Sequence, residues 1–244
     1  MAANLEGLAL PPEPPDQAQP RRALVVAAHP DDADFGAAGT VYLWSKLGWE
    51  FYYLVCTNGA KGSDDESMTR DELIRVRRAE QRAAASVLGV SEVAFLDYED
   101  GELVADRRLL ADIVRHIRRV QPYAVFTHDP EAVIVNDSFV NHSDHRAAGL
   151  ITVDAVYPAA RDRLNFPEQI AEGLQPHKVG AVYIWGSERC NFDVDISAVI
   201  EQKLTALECH KSQFTPEFLD LMRGRWASQD GRYVESFRRV LMAF

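Results

Sequence analysis

Five apolar residues in a row, Ala23-Leu24-Val25-Val26-Ala27, run straight into Ala28-His29-Pro30-Asp31-Asp32, and this junction limits what the chain can fold into more than any other. An unbroken apolar run of that length reads as a strand buried on both faces, the kind found inside a parallel sheet with helices on either side. Beyond the loop, Asp34, Gly36 and Gly39 lead into a helix predicted over residues 37–47 and closed by Gly48. In such sheets the turn between first strand and first helix is where ligands sit. The glycine pattern of a dinucleotide site does not follow Val26. The turn carries an imidazole and two carboxylates instead, stiffened by a proline. His29 and Asp32, three apart, can face one point with Asp31 beside them, a donor set that a divalent cation accepts and a third ligand would complete. On these residues alone, a polar loop whose aspartates cap the next helix is an equally good reading.

Strands and helices alternate down the rest of the chain. Residues 50–56, rich in aromatic and β-branched side chains, feed Thr57-Asn58-Gly59-Ala60-Lys61-Gly62-Ser63. In a parallel sheet that loop falls at the same end as His29 and walls the same cleft. Thr69 and Glu72 have the spacing of a capping box and Gly89 that of a helix stop, which predicts a helix over 70–88. Its apolar stripe is Leu73, Val76, Ala84, Val87 and Leu88, and Arg77 and Glu80 project from the middle of it. Two charges there need partners: each other as a structural ion pair, or groups in the site, with Arg77 reaching a polar part of a substrate. A strand at 92–97, a helix at 109–120 and a strand with its exit at 123–130 follow. Arg107, Arg108, Arg115, Arg118 and Arg119 are read as a solvated helix face. Crossovers each long enough for a helix argue for a parallel sheet. Asn141-His142-Ser143-Asp144-His145-Arg146-Ala147-Ala148-Gly149 then opens a helix predicted over 143–156, with His142 and His145 on one face of its first turn. His145 would be the third metal ligand; His142 would sit beside the metal, free to give a hydrogen bond or a proton. The remainder predicts a strand at 179–185 and helices at 196–210, 216–229 and 233–241, with His210 an outside candidate for the cleft.

The 244 residues hold 26 basic against 37 acidic side chains, a net charge of −11. Such a field repels phosphate backbones and anionic lipid, so neither nucleic acid nor a membrane is expected as a partner. No apolar stretch approaches the roughly 20 residues of a membrane helix. Residues 1–21, with Pro11, Pro12, Pro14, Pro15 and Pro20, lack the features of a signal peptide and are read as a disordered tail; residues 22–244 are read as one domain. Cys56, Cys190 and Cys209, odd in number and far apart, are read as reduced, buried thiols of a cytoplasmic protein.

Together, Ala28-His29-Pro30-Asp31-Asp32 and the Asn141–Gly149 run resemble the two signature motifs of the PIG-L/LmbE-like family of zinc-dependent N-acetyl-sugar deacetylases. Residues 57–62, Arg77-x-x-Glu80 and Leu88-Gly89-Val90 are similar to further family positions, so that the resemblance spans about Arg22 to Ser212. It implies a Rossmann-like α/β fold, a three-layer sandwich with a mostly parallel central sheet and no dinucleotide site. It implies His29, Asp32 and His145 as ligands of zinc, or of ferrous iron, and Asp31 as the general base. His142 would stabilise the oxyanion or protonate the leaving amine, Asp144 would orient His142, and Arg77 and Asp100 match substrate contacts. The substrate implied is a small N-acyl, typically N-acetyl, amino sugar or its conjugate. Ala60-Lys61, where some members carry acidic residues, is a departure that bears on which one. Whether the protein forms a homo-oligomer is left open. Two other readings share the motifs: a mononuclear iron oxygenase built on the same triad, and a metal- or sugar-binding module without chemistry. A base and a second histidine beside the ligands favour the hydrolase over both.

Overall fold

The structure, a computed structural model, describes residue 11 and residues 20–228 and 230–243. Most of the proline-rich segment read as a tail therefore lies outside the described residues. The elements follow in order as β1 (Arg22–Ala27), α1 (Asp32–Ser45), β2 (Glu50–Thr57), α2 (Arg70–Leu88), β3 (Glu92–Tyr98), α3 (Arg107–Val120) and β4 (Ala124–His128). A small hairpin, β5 (Ile134–Val135) and β6 (Phe139–Val140), precedes α4 (Ser143–Asp154) and α5 (Pro167–Ala171). Then come β7 (Ala181–Trp185), β8 (Phe192–Asp195), α6 (Ile200–Leu207), α7 (Pro216–Trp226) and β9 (Val234–Leu241). Seven strands form one sheet in the order β3-β2-β1-β4-β7-β9-β8. The pairs from β3 across to β7 are parallel, and β9 runs antiparallel to both its neighbours.

The apolar run does what its composition requires. Ala23, Val25 and Ala27 pack on one side of the sheet with α1, α2 and α6, while Leu24, Val26 and Ala28 pack on the other with α3 and α4. That makes three layers, with β1 an interior strand of the central one. Helix α2 spans the predicted residues: Thr69 Oγ1 accepts from Glu72 N–H, and Gly89 closes the helix in the left-handed region at φ 77°. No helix among the described residues is long and apolar enough to cross a membrane.

Four expectations need correcting. Residues 234–241 form strand β9, not a helix. Arg118 does not share the solvated face of α3: it is buried, and its guanidinium donates to the carbonyls of Ala159, Ala160, Asp162, Asn165 and Phe166. Arg77 and Glu80 do not pair; Glu80 accepts from Ser212 N–H and Oγ–H, while Arg77 turns to the first loop. Of the three thiols only Cys56 is buried, Cys209 being half-buried and Cys190 exposed.

Candidate active site

From β1 the sheet continues to β2 on one side and to β4 on the other, and a parallel sheet leaves a crevice at such a switch point. The carboxyl ends of β1, β2, β3 and β4 deliver His29, Asn58, Asp100 and His128 to that crevice. Helix α4 brings the remaining histidines. It can lie close over the exit of β4 because Gly149 has no side chain: a Cβ there would stand 2.4 Å from the His128 carbonyl oxygen.

Three donors converge at its centre. His29 Nδ1 lies 3.3 Å from His145 Nε2 and 3.2 Å from Asp32 Oδ2, and His145 Nε2 lies 3.2 Å from Asp32 Oδ1. The far nitrogen of each ring is already committed. His29 Nε2 faces Asp100 Oδ1 at 3.1 Å and Asp144 Oδ2 at 3.2 Å, and His145 Nδ1 faces Asn141 Oδ1 at 3.0 Å. Those acceptors hold the ring protons on the outside, so two lone pairs and a carboxylate are left pointing at one another. That arrangement calls for positive charge between them. A tetrahedral ion at about 2.0–2.1 Å from each donor would need them about 3.3 Å apart, which is the spacing found. His29, Asp32 and His145 therefore fit a divalent metal. The same demand shows in the proton equilibria. Burial opposes charge on His29, but its bonds to Asp100, Asp144 and Asp32 outweigh this and hold its pKa well above the ordinary imidazole value.

The neighbouring positions differ in what they touch. Asp31 sits one residue before α1 with φ 103°, a backbone shape an L-residue adopts only under constraint. The constraint comes from two residues one turn apart on α2. Gln81 Oε1 accepts from Asp31 N–H at 2.8 Å, and Arg77 Nη2 donates to Pro30 O at 2.8 Å and Asp31 Oδ2 at 3.1 Å. Arg77 Nη1 also donates to Gly59 O, and a Cβ at Gly59 (φ 64°) would lie 2.8 Å from that nitrogen. Burial pushes the Asp31 carboxyl up to about 6, with Arg77 pulling the other way. His142 is exposed and its Nδ1 accepts from Asp144 N–H at 3.1 Å, capping α4. The Asp144 carboxylate, expected to orient His142, makes no hydrogen bond to it and stands 3.9 Å from its Nδ1. Fully buried, it accepts from Leu103 N–H and Gly101 N–H and faces His29. Asp100 is spent likewise, on Lys61 N–H and His29. His210, the outside candidate, is buried with Nε2 2.8 Å from Asp34 Oδ2, among Gln81 and Tyr53, and braces the floor of the site.

One functional side chain escaped the sequence reading. His128 stacks on His145 at 4.2 Å between ring centroids, accepts at Nδ1 from Trp185 Nε1–H, and places Nε2 3.4 Å from Asp32 Oδ2. Its position as the last residue of a parallel strand, at the same end as His29, was the available signal.

The family described as PIG-L, GlcNAc-PI de-N-acetylase, matches residues 24–156, more than half of the chain. The chain is 35% identical over 201 residues to a diacetylchitobiose deacetylase of Thermococcus kodakarensis, covering 82% of this chain and 73% of that one. A 4-oxalmesaconate hydratase of Pseudomonas putida is 29% identical over 209 residues, covering 79% of this chain and 74% of that one. Among solved structures, the N,N'-diacetylchitobiose deacetylase of Pyrococcus horikoshii superposes with a TM-score of 0.82 at 30% identity, over 91% of this chain and 84% of that one. With both motifs inside the matched span and their side chains gathered at one crevice, the chain belongs to the PIG-L family.

Proposed function

We propose that this protein is a metal-dependent hydrolase that removes the N-acetyl group from a small amino-sugar substrate, with zinc as the ion and ferrous iron as the alternative. The observation that carries the reading is a carboxylate outside the ligand set, Asp31, held beside the His29–Asp32–His145 cluster by Arg77. Support also comes from relatives that act on N-acetyl sugars: a diacetylchitobiose deacetylase and a 1D-myo-inositol 2-acetamido-2-deoxy-alpha-D-glucopyranoside deacetylase. The free thiols, including exposed Cys190, fit a reducing, cytoplasmic compartment.

His29, Asp32 and His145 would hold the ion. When bound, it polarises a carbonyl and lowers the pKa of water toward about 7. The rest falls to the chain. Asp31 Oδ2 is taken by Arg77, which leaves Oδ1 to accept the proton of the attacking water. His142, with Nδ1 occupied by the Asp144 N–H, has Nε2–H to meet the developing oxyanion, and the proton Asp31 takes from water is the one available to the departing nitrogen. Asp144 and Asp100 also hold the His29 ring in place. Lys61, Arg77, Asp100 and His142 line a polar cavity of about 290 Å³ beside the cluster, of a size for one sugar ring.

The test is amine release from a panel of N-acetyl amino sugars and their conjugates, with metal analysis of the same preparation. About one divalent ion per chain and stoichiometric amine and acetate are expected, with occupancy collapsing in His145→Ala. Because one relative is a hydratase, an active preparation that hydrates an unsaturated acid and releases no amine would overturn the reading. Oxygen uptake with bound ferrous ion would return it to the oxygenase.

A further inference from the structure

Asp32 and His145 are walls of two cavities, not one. On one side lies the polar cavity; on the other lies a second of about 230 Å³, lined by Phe35, Val135, Phe139 and Trp185 together with His128, Asp129 and Asn141. The second cavity is roofed by the β5–β6 hairpin, whose Phe139 is 57% exposed and has no apolar partner of its own to cover it among the core clusters. An acetyl methyl occupies about the volume of one water, roughly 30 Å³, so this space is several times what an acetyl group fills.

Most of the polar side chains around it are already committed. Asn141 uses Oδ1 on His145 and Nδ2 on Ala132 O. Trp185 spends its only N–H on His128, and Asp129 Oδ1 accepts from Glu131 N–H. A second sugar ring placed here would give up water from its hydroxyls without replacement, at a cost that aromatic contact has to overcome. A hydrocarbon chain has no hydroxyls to strip of water and would bury its surface against four apolar side chains.

We propose that this cavity is an acyl-chain site, and that the protein accepts N-acyl amino sugars with linear chains of about four to eight carbons as well as acetyl. The inference rests on the deacylase reading for its chemistry. Water adds its oxygen to the acyl carbon as the C–N bond breaks, and its hydrogens leave on the amine and in solution, giving a medium-chain carboxylate and the amino sugar. The amino sugar lies in the polar cavity, the scissile amide at the cluster and the chain beyond Asp32 and His145.

Two measurements on the metal-loaded protein decide it. Calorimetric binding of acetate, butanoate and hexanoate reads the cavity without turnover. Each methylene buried is worth roughly four-fold in affinity, so hexanoate is expected to bind at least ten-fold more tightly than acetate. Amine release from N-acetyl-, N-butanoyl- and N-hexanoylglucosamine should show kcat/KM that holds or rises with chain length. Val135→Trp, which narrows the cavity, should cut the hexanoate-to-acetate affinity ratio at least ten-fold; Phe139→Ala, which removes a wall at an exposed position, should cut it several-fold and serves if the first variant does not fold. Hexanoate binding no tighter than acetate, or kcat/KM falling steeply beyond acetyl, overturns the acyl site while leaving the deacetylase intact. Tight hexanoate binding with no amine released from any length sustains the site and overturns the deacylase.

Discussion

Asp31 and Asp32 are the same residue type one step apart, and the backbone gives them opposite tasks. Asp32 opens α1 and faces His145 and His128, whose pull outweighs its burial and holds its carboxyl well below the usual carboxylate range. Asp31 faces Arg77, outside the ligand set. Asn tolerates a positive φ nearly as well as Asp, so Asp31→Asn should fold and keep its metal while losing a base. Loss of a general base costs roughly 10²–10⁴-fold in rate, and kcat should fall by that much with KM little changed. Asp32→Asn should instead lose the ion. Metal analysis with kinetics on both variants checks the assignment, and it is wrong if Asp31→Asn is the one that comes out metal-free. Arg77 was expected either to pair with Glu80 or to reach substrate; it does not pair with Glu80, and it lines the polar cavity beside the cluster. It supports Asp31, Pro30 O and Gly59 O at once. Arg77→Met should therefore lower kcat at least ten-fold through Asp31, and Arg77→Lys should recover little of it, because one ammonium cannot span acceptors that a planar guanidinium fork reaches together. Wild-type kinetics in a folded Arg77→Met would retire that role.

Among the elements, β9 is the one the sequence disguised. Val234, Phe237, Val240 and Leu241 fall at helical spacing, and the inward positions of the actual strand alternate through Glu235, so no apolar period of two is visible. The buried charge is answered from elsewhere. Lys203 of α6 sits 2.6 Å from Glu235, which also accepts from Gly39 N–H, Thr40 N–H and Thr40 Oγ–H in the middle of α1. This cross-brace ties the last strand to the helix that carries Asp32. Lys203→Met would strand the carboxylate in the core at a cost of roughly 3–5 kcal/mol, measurable by urea denaturation; a change under about 1 kcal/mol would mean the brace is dispensable. The elements that were legible are those whose signal is local: β1 as an apolar run, α2 through Thr69 and Gly89, α4 through its opening histidines. Arg118 was misread for a related reason. It lies four residues after buried Val114 on the same face of α3, but its partners are carbonyls from residues 159–166, which no local pattern announces. His29, Asp32 and His145 were legible because their side-chain chemistry is rare enough to identify without knowing the contacts. The switch of Asp144 from His142 to His29 was not, since it depends on where Gly101 and Leu103 N–H end up.

At the scale of the whole molecule, the cluster joins the two halves of the chain. His29 and Asp32 come from the first strand and helix, His145 from α4 more than a hundred residues later, and their donor atoms face one another across a gap that a cation would fill. Binding there is therefore linked to folding. An ion held at 100 times its dissociation constant adds about 2.7 kcal/mol to the folded state. For a chain of this size each kcal/mol moves Tm by roughly 2–4 °C. Chelation should then lower Tm by about 5–10 °C, and re-addition of zinc should restore it. In His145→Ala the donor set is incomplete, so chelator and zinc should leave Tm nearly where it stands. Asp31→Asn, which keeps all three donors, should retain the full chelator-sensitive shift while turning over little substrate. Differential scanning calorimetry of the three proteins with and without chelator separates the ion's hold on the fold from its part in the reaction. A chelator shift of equal size in wild type and His145→Ala would place the stabilising ion elsewhere and remove the cluster from the centre of the molecule.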